Sequence, residues 1–192
     1  TTEAKGEGRS SFILPKKPAN LLKSLLPRES GDVVIKFDTN NAYIEMASYQ
    51  MVCRFVEGRF PNYNSVIPQD NPNKVTLDRL ALLNTLKRVA VFSNPSSSLV
   101  KLQLSEDKIV MSAQDIDFLT AAEEVIPCSY DGNIMNIGFK AVFLIDILNN
   151  IPSDEVRVEL SDPSRAGLIL PVDDKEENVD MLTLLMPMML ND

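Results

Sequence analysis

The stretch Lys74-Val75-Thr76-Leu77-Asp78-Arg79-Leu80-Ala81-Leu82-Leu83-Asn84-Thr85-Leu86-Lys87-Arg88-Val89-Ala90 decides how this chain is read. A short strand-like run leads into Leu82, Leu83 and Leu86, whose i, i+1, i+4 spacing predicts an amphipathic helix. The passage occurs twice more: Phe12-Ile13-Leu14 leads into Leu21, Leu22 and Leu25, and Met135-Asn136-Ile137 leads into Leu144, Ile145 and Leu148. The leucines step by 61 and then 62 residues, so the chain is an array of three similar units.

Each helix is followed by a pair of strand-like runs about a polar turn. These are Val33 to Phe37 with Tyr43 to Met46, Leu99 to Leu104 with Lys108 to Ser112, and Val156 to Leu160 with Ala166 to Leu170. A last apolar run closes each unit: Gln50 to Val56, Phe118 to Cys128 and Met181 to Leu190. The predicted class is α+β, built from repeated β-α-β-β-β units with antiparallel sheets and helices on one face. One helix on so few strands buries too little surface to stand alone, so the units should pair two to a domain. Three units leave one over, which either has lost its partner or pairs with another chain. Pro, Asn and Asp accumulate from Arg59 through Pro72, and this places an incomplete domain at residues 1–67 and a complete one at 68–192. The acidic stretch from Asp173 to Asn178 reads as a solvated loop.

Composition narrows the chemistry. Of 192 residues 44% are hydrophobic and 24% charged, the balance of an ordinary globular chain, with a net charge of -8. There is no His, which removes His-dependent triads, His-containing zinc sites and the usual general base near neutral pH. Cys53 and Cys128 are too far apart for a CxxC pair and read as buried reduced thiols. Neither a phosphate loop nor a nucleophile elbow occurs, and the acidic pairs Asp115/Asp117 and Glu123/Glu124 lack supporting ligands or partners. No enzyme and no cofactor is expected. No apolar run is long enough to span a bilayer and the first residues are polar, so a soluble cytoplasmic protein without membrane partners is expected.

Charge is unevenly placed. The stretch from Leu14 to Arg28 carries +4, Leu77 to Ala90 carries +2 and Phe139 to Ile151 is neutral, leaving -14 for the remainder. If the helices share one face of a sheet, Lys16, Lys17, Lys23, Arg79, Lys87 and Arg88 make that face basic on an acidic protein, the arrangement of weak, sequence-blind phosphate contact; from charge alone the alternative is that Lys and Arg stand there simply as good helix-surface residues. At the other end, Leu182 to Leu190 is apolar on both faces and contains Pro187, which cannot donate to a ladder. Its methionines should be accessible there, as in an adaptable peptide-binding surface. A generic peptide-binding scaffold with no role on DNA is the alternative these features leave open.

The repeated unit, the run Val56-Glu57-Gly58-Arg59-Phe60-Pro61-Asn62-Tyr63, the turn Asp162-Pro163-Ser164-Arg165 and the terminal Met186-Pro187-Met188-Met189-Leu190 together resemble the bacterial DNA sliding clamp, the beta subunit of DNA polymerase III. The resemblance runs from Phe12 onward and implies the second half of that subunit's middle domain followed by its whole third domain. It implies a processivity factor: a head-to-tail homodimeric ring whose helices encircle duplex DNA without catalysis. The ring would tether polymerase, clamp loader and repair proteins through short linear peptides. Carried over by position, the peptide groove would use Pro61, Ser65, Val66, Lys140, Phe143, Ser164, Ala166, Leu184, Leu185, Met186, Pro187, Met188, Met189 and Leu190. The dimer interface would use Val91, Phe92, Glu123 and Glu124. Ser65 and Met189 stand where many relatives carry a basic residue, and Lys140 where some carry Asn.

Overall fold

A computed structural model describes residues 11–173 and 180–190. The acidic loop expected from Asp173 to Asn178 lies, beyond Asp173, outside the described residues. The chain divides into two compact units between Tyr63 and Asn64, close to the expected boundary at 67/68.

The first unit holds α1 (Lys16–Leu25), a 3-10 turn at Leu26–Arg28, and an antiparallel sheet of β1 (Val34–Phe37), β2 (Asn41–Glu45) and β3 (Gln50–Arg54) in that order. The expected opening strand at Phe12-Ile13-Leu14 is reduced to one antiparallel bridge, Ile13 with Val56. Its core is small: Ala42, Ile44, Met46 and Cys53 are buried, with Leu14, Leu22 and Leu25 packed against them. No residue of α1 is fully buried.

The second unit starts its regular structure at β4 (Asn73–Asp78) and continues through α2 (Arg79–Ala90), β5 (Leu99–Ser105), β6 (Lys108–Asp115), β7 (Thr120–Pro127) and β8 (Ser129–Asp131). Then come β9 (Met135–Lys140), α3 (Ala141–Asn150), β10 (Glu155–Leu160), β11 (Gly167–Pro171) and β12 (Thr183–Leu185). Asp78 caps α2, its carboxylate accepting from the Ala81 amide at 2.6 Å. Two antiparallel sheets result, in the orders β12-β11-β10-β4-β8 and β7-β6-β5-β9.

These orders show why the repeats need each other. β4 opens the second repeat yet pairs with β10 of the third, Thr76 opposite Arg157. β9 opens the third repeat yet pairs with β5 of the second, Gly138 opposite Lys101. Each repeat lends its first strand to the other's sheet. α2 and α3 pack together, and one core collects Leu82, Leu83 and Leu86 from α2, Leu144 and Leu148 from α3, and residues of both sheets.

Three expectations are corrected in detail. The closing strand of the second repeat begins at Thr120 rather than Phe118, because Ile116 to Leu119 form the β6–β7 turn with Leu119 at φ 54°. An extra short strand, β8, follows it and pairs with β4. The last strand is only Thr183–Leu185, since Pro187 lacks the N–H to extend it. Both thiols are free as expected, but Cys128 is half-buried and burial raises its pKa.

Candidate functional site

The C-terminal segment acquires its exposed methionines by changing sheets. Thr183, Leu184 and Leu185 pair with Ile169, Leu168 and Gly167 on β11. The chain then leaves that sheet, and the Met188 amide donates to the Gly138 carbonyl of β9 at 2.8 Å in the other sheet. Pro187 stands at the crossing, where no donor is needed. The crossing turns Leu185 inward and leaves Met186 and Met189 58% and 75% exposed. Gly138 allows the close approach: a Cβ there would meet Met188 O at 2.9 Å and Leu190 Cδ2 at 2.8 Å.

Around this segment lies an open depression of about 520 Å³, in which Ser164, Met189 and Leu190 of the expected set meet Asn133, Ile134 and Pro163. That size suits a short apolar segment with a few polar contacts. Asp162 shapes its rim: its carboxylate accepts from the Ser164 hydroxyl and amide, and these hydrogen bonds, the hydroxyl's first, hold its pKa below the ordinary value. On α3, Phe143 is 56% exposed with the Lys140 ammonium 5.5 Å from its ring centroid. Ala166 is buried beneath, Ser65 and Val66 are exposed, and Pro61 is exposed in the first unit. Ile134 was missed from sequence. Its only signal is an apolar residue within the polar turn Asp131-Gly132-Asn133.

The basic helical face is less uniform than its sequence. On α1, Lys16, Lys17 and Lys23 are exposed, as is Lys87 on α2. Arg79 is instead turned inward, donating to the carbonyls of Leu148 and Ser153 where α3 ends. The Leu148 carbonyl lies in the last turn of α3, where intrahelical donors run out, and Ser153 follows just beyond it. Arg88 forms a two-pronged pair with Glu124 on β7, Nε to Oε1 at 2.8 Å and Nη2 to Oε2 at 2.6 Å. This hydrogen bond raises the Arg88 pKa and lowers that of Glu124. Two expected phosphate contacts are therefore engaged within the protein, and one expected interface acid is their neutraliser.

β7 is an edge strand with Glu123 exposed, and beside it Val91 and Phe92 at the end of α2 are 77% and 38% exposed. The β6–β7 turn adds Ile116, Phe118 and Leu119, all largely exposed and absent from the sequence expectation. The turn is held from within by Asp115, a buried residue whose Oδ1 accepts from the amides of Asp117 and Phe118. This accounts for the pair Asp115/Asp117 structurally. Among the described residues no cluster of His, Cys, Asp or Glu could hold a metal ion, and no helix is long and apolar enough to cross a membrane.

Residues 64–189 match the family described as DNA polymerase III beta subunit, C-terminal domain. The chain belongs to that family. It is 30% identical to the beta sliding clamp of Pseudomonas aeruginosa over 184 residues, 96% of this chain and 49% of the relative. A crystal structure of the P. aeruginosa clamp bound to griselimycin superposes with a TM-score of 0.86 at 30% identity, covering 93% of this chain and 47% of the other. A structure of the beta sliding clamp of Caulobacter crescentus gives 0.88 at 26% identity, covering 96% and 48%. The chain thus spans about half the length of the sliding clamps it matches.

Proposed function

We propose that this chain acts within a DNA sliding clamp, a processivity factor that holds DNA polymerase on duplex DNA by encircling it. Residues up to Tyr63 are the second half of a middle clamp domain, and residues from Asn64 onward are a complete third domain. The observation that carries the reading is the reciprocal exchange of β4 and β9, which gives the family-matching segment a closed two-repeat domain with α2 and α3 packed together. Helices with exposed lysines suit sliding contact, since phosphate attraction is screened and blind to sequence. Lys16, Lys17, Lys23 and Lys87 carry that contact, since Arg79 and Arg88 are engaged by acceptors of the chain itself. Polymerase, clamp-loader and repair proteins dock through short apolar peptides against the exposed terminal segment at Met186 and in the depression that Met189 and Leu190 line. The ring closes as a homodimer at the free edge of β7, with Val91, Phe92 and Glu123 facing the partner. Catalysis has no part in this, and the site of action is the cytoplasm.

The test is fluorescence-polarisation titration of a short apolar polymerase-type peptide against the chain and its Met186→Ala/Met188→Ala variant. Binding weakened by about ten-fold or more in the variant, with an unchanged thermal transition, is expected from the loss of two partly exposed contacts. Equal affinity for both proteins would reject the docking site.

A further inference from the structure

The described lysines fall into two groups. Lys101 and Lys140 are half-buried, and every other one is exposed. These two stand on neighbouring strands: Lys101 on β5 faces Gly138 on β9, and Lys140 follows Gly138 two residues on, so both belong to one face of the sheet. Residues placed diagonally in this way are about 7–8 Å apart at Cα, a separation that long side chains span. No acid neutralises them. Among the described residues neither has an ion-pair partner, whereas Lys36, Arg54, Arg88, Arg157 and Arg165 each have one. Lys140 is also the N-cap of α3, whose first turn holds no acid, and its ammonium rests over the Phe143 ring.

Their position ties them to the terminal segment. Gly138 stands between the two, and it is Gly138 that Met188 bridges and that Leu190 and Leu99 approach most closely. Leu190 lines the depression of about 520 Å³ and also a second one, of about 960 Å³, on the face of the sheet β7-β6-β5-β9 turned away from the core. Lys101 lines this second depression with Leu99 and Ser112, and its acids are Glu123 and Asp117. Across the strands the order is Lys101, Ser112, Glu123, so cation and acid stand two strands apart. That is about 10 Å, too far for a direct pair. Asp117 lies in the β6–β7 turn, where it accepts from the Asn94 side chain. The depression is therefore positive beside Leu190 and negative toward β7.

A half-buried cation has lost part of its hydration, and a carboxylate restores the balance in a setting where the attraction is less screened than in open water. We propose that Lys101 and Lys140 select, among apolar docking peptides, those that carry a carboxylate beside the apolar residue, with Lys101 as the main contact. This rests on the peptide-docking reading above and adds the chemistry of the partner to it. A peptide whose apolar side chain sits against Met189 and Leu190 has one lysine on either side of it. Its acidic neighbour then meets Lys101 in the larger depression or displaces the Lys140 ammonium from the Phe143 ring. Overall charge works the other way, since a chain at -8 repels acidic ligands. The preference is thus a local property of these two residues.

The experiment titrates the whole chain, by fluorescence polarisation, against a synthetic peptide with leucines at its centre and an aspartate on either side, and against the same peptide with asparagines in place of the aspartates. The aspartate peptide is expected to bind about five- to ten-fold more tightly. In Lys101→Met/Lys140→Met that ratio should fall to near one, with the thermal transition and the affinity for the asparagine peptide unchanged. Lys101→Arg, which keeps the charge, should keep the ratio. So should Lys74→Met, which removes an exposed lysine from the other sheet. Equal binding of the two peptides by the unmodified chain, a ratio that survives in the double variant, or one lost equally in Lys74→Met would each overturn the proposal and leave the docking segment standing. If neither peptide binds, the docking reading itself fails, and the selectivity falls with it.

Discussion

Leu86 and Leu25 hold the same place in two copies of one pattern, and their surroundings are opposite. Leu86 on α2 is fully buried between α3 and two sheets, while Leu25 on α1 is half-buried against three strands. Neither the helical stripe nor the strand alternation differs between the repeats. The difference is a partner: among the described residues, the repeats that exchange opening strands bury these leucines almost completely, while the first repeat leaves Leu22 and Leu25 half-buried. Pairing, rather than local pattern, makes the core.

Truncation should separate the two repeats most sharply. Leu86→Ala empties a fully enclosed site and is expected to cost about 3–4 kcal/mol, while Leu25→Ala, partly solvated already, should cost about 1 kcal/mol or less. Denaturant titration read separately for the two units checks this. If Leu25→Ala costs as much as Leu86→Ala, and more so at high protein concentration, α1 is covered in solution and the contrast closes.

Two glycines give a second contrast. Gly31, in the first unit, has nothing near the position of a Cβ, whereas a Cβ at Gly138 would meet the Met188 carbonyl and the side chains of Leu99 and Leu190. Gly138→Ala should therefore cost about 1–3 kcal/mol by overpacking. It should also push the terminal segment off β9, weakening peptide binding and speeding exchange of the Met188 amide. Gly31→Ala should be close to neutral. An undisturbed Met188 amide in Gly138→Ala would show that the terminal segment can shift without losing its bridge.

Much of this was legible in the sequence, and the limits have a physical pattern. The three repeats, their helices and hairpins follow from spacing that each segment carries by itself. The exposed methionines followed from Pro187, whose missing N–H is a local fact. What could not be read were long-range choices. Nothing in Arg79 says that its guanidinium closes the end of α3, since its acceptors, the carbonyls of Leu148 and Ser153, are far along the chain. Arg88 and Glu124 were assigned to different surfaces because sequence places them 36 residues apart and structure places them in one ion pair. In sequence Phe118 and Leu119 read as the start of the closing strand, whereas they belong with Ile116 to the turn before it. Only the buried Asp115, holding two amides, explains why the chain turns there.

The smallest expected effect concerns that ion pair, which ties α2 to β7 in the second unit and has no counterpart on α1 among the described residues. Hydrogen bonding to Arg88 lowers the Glu124 pKa below its ordinary 4.5. A carboxylate with a depressed folded pKa contributes stability that is present above the unfolded pKa and fades as pH falls through the folded one. The tie should therefore be intact at neutral pH and should loosen only as pH falls below the usual glutamate range. The pair is solvent-exposed, so the contribution is small and screened by salt. Carbon-13 titration of the Glu124 carboxyl should give a midpoint below that of glutamate in an unstructured peptide, returning to the peptide value in Arg88→Gln. Freed from Arg88, Glu124 adds to the negative charge along β7, whereas Glu124→Gln releases a cation on α2. The second variant should therefore raise DNA affinity slightly if α2 faces the duplex, and leave it unchanged if only α1 does.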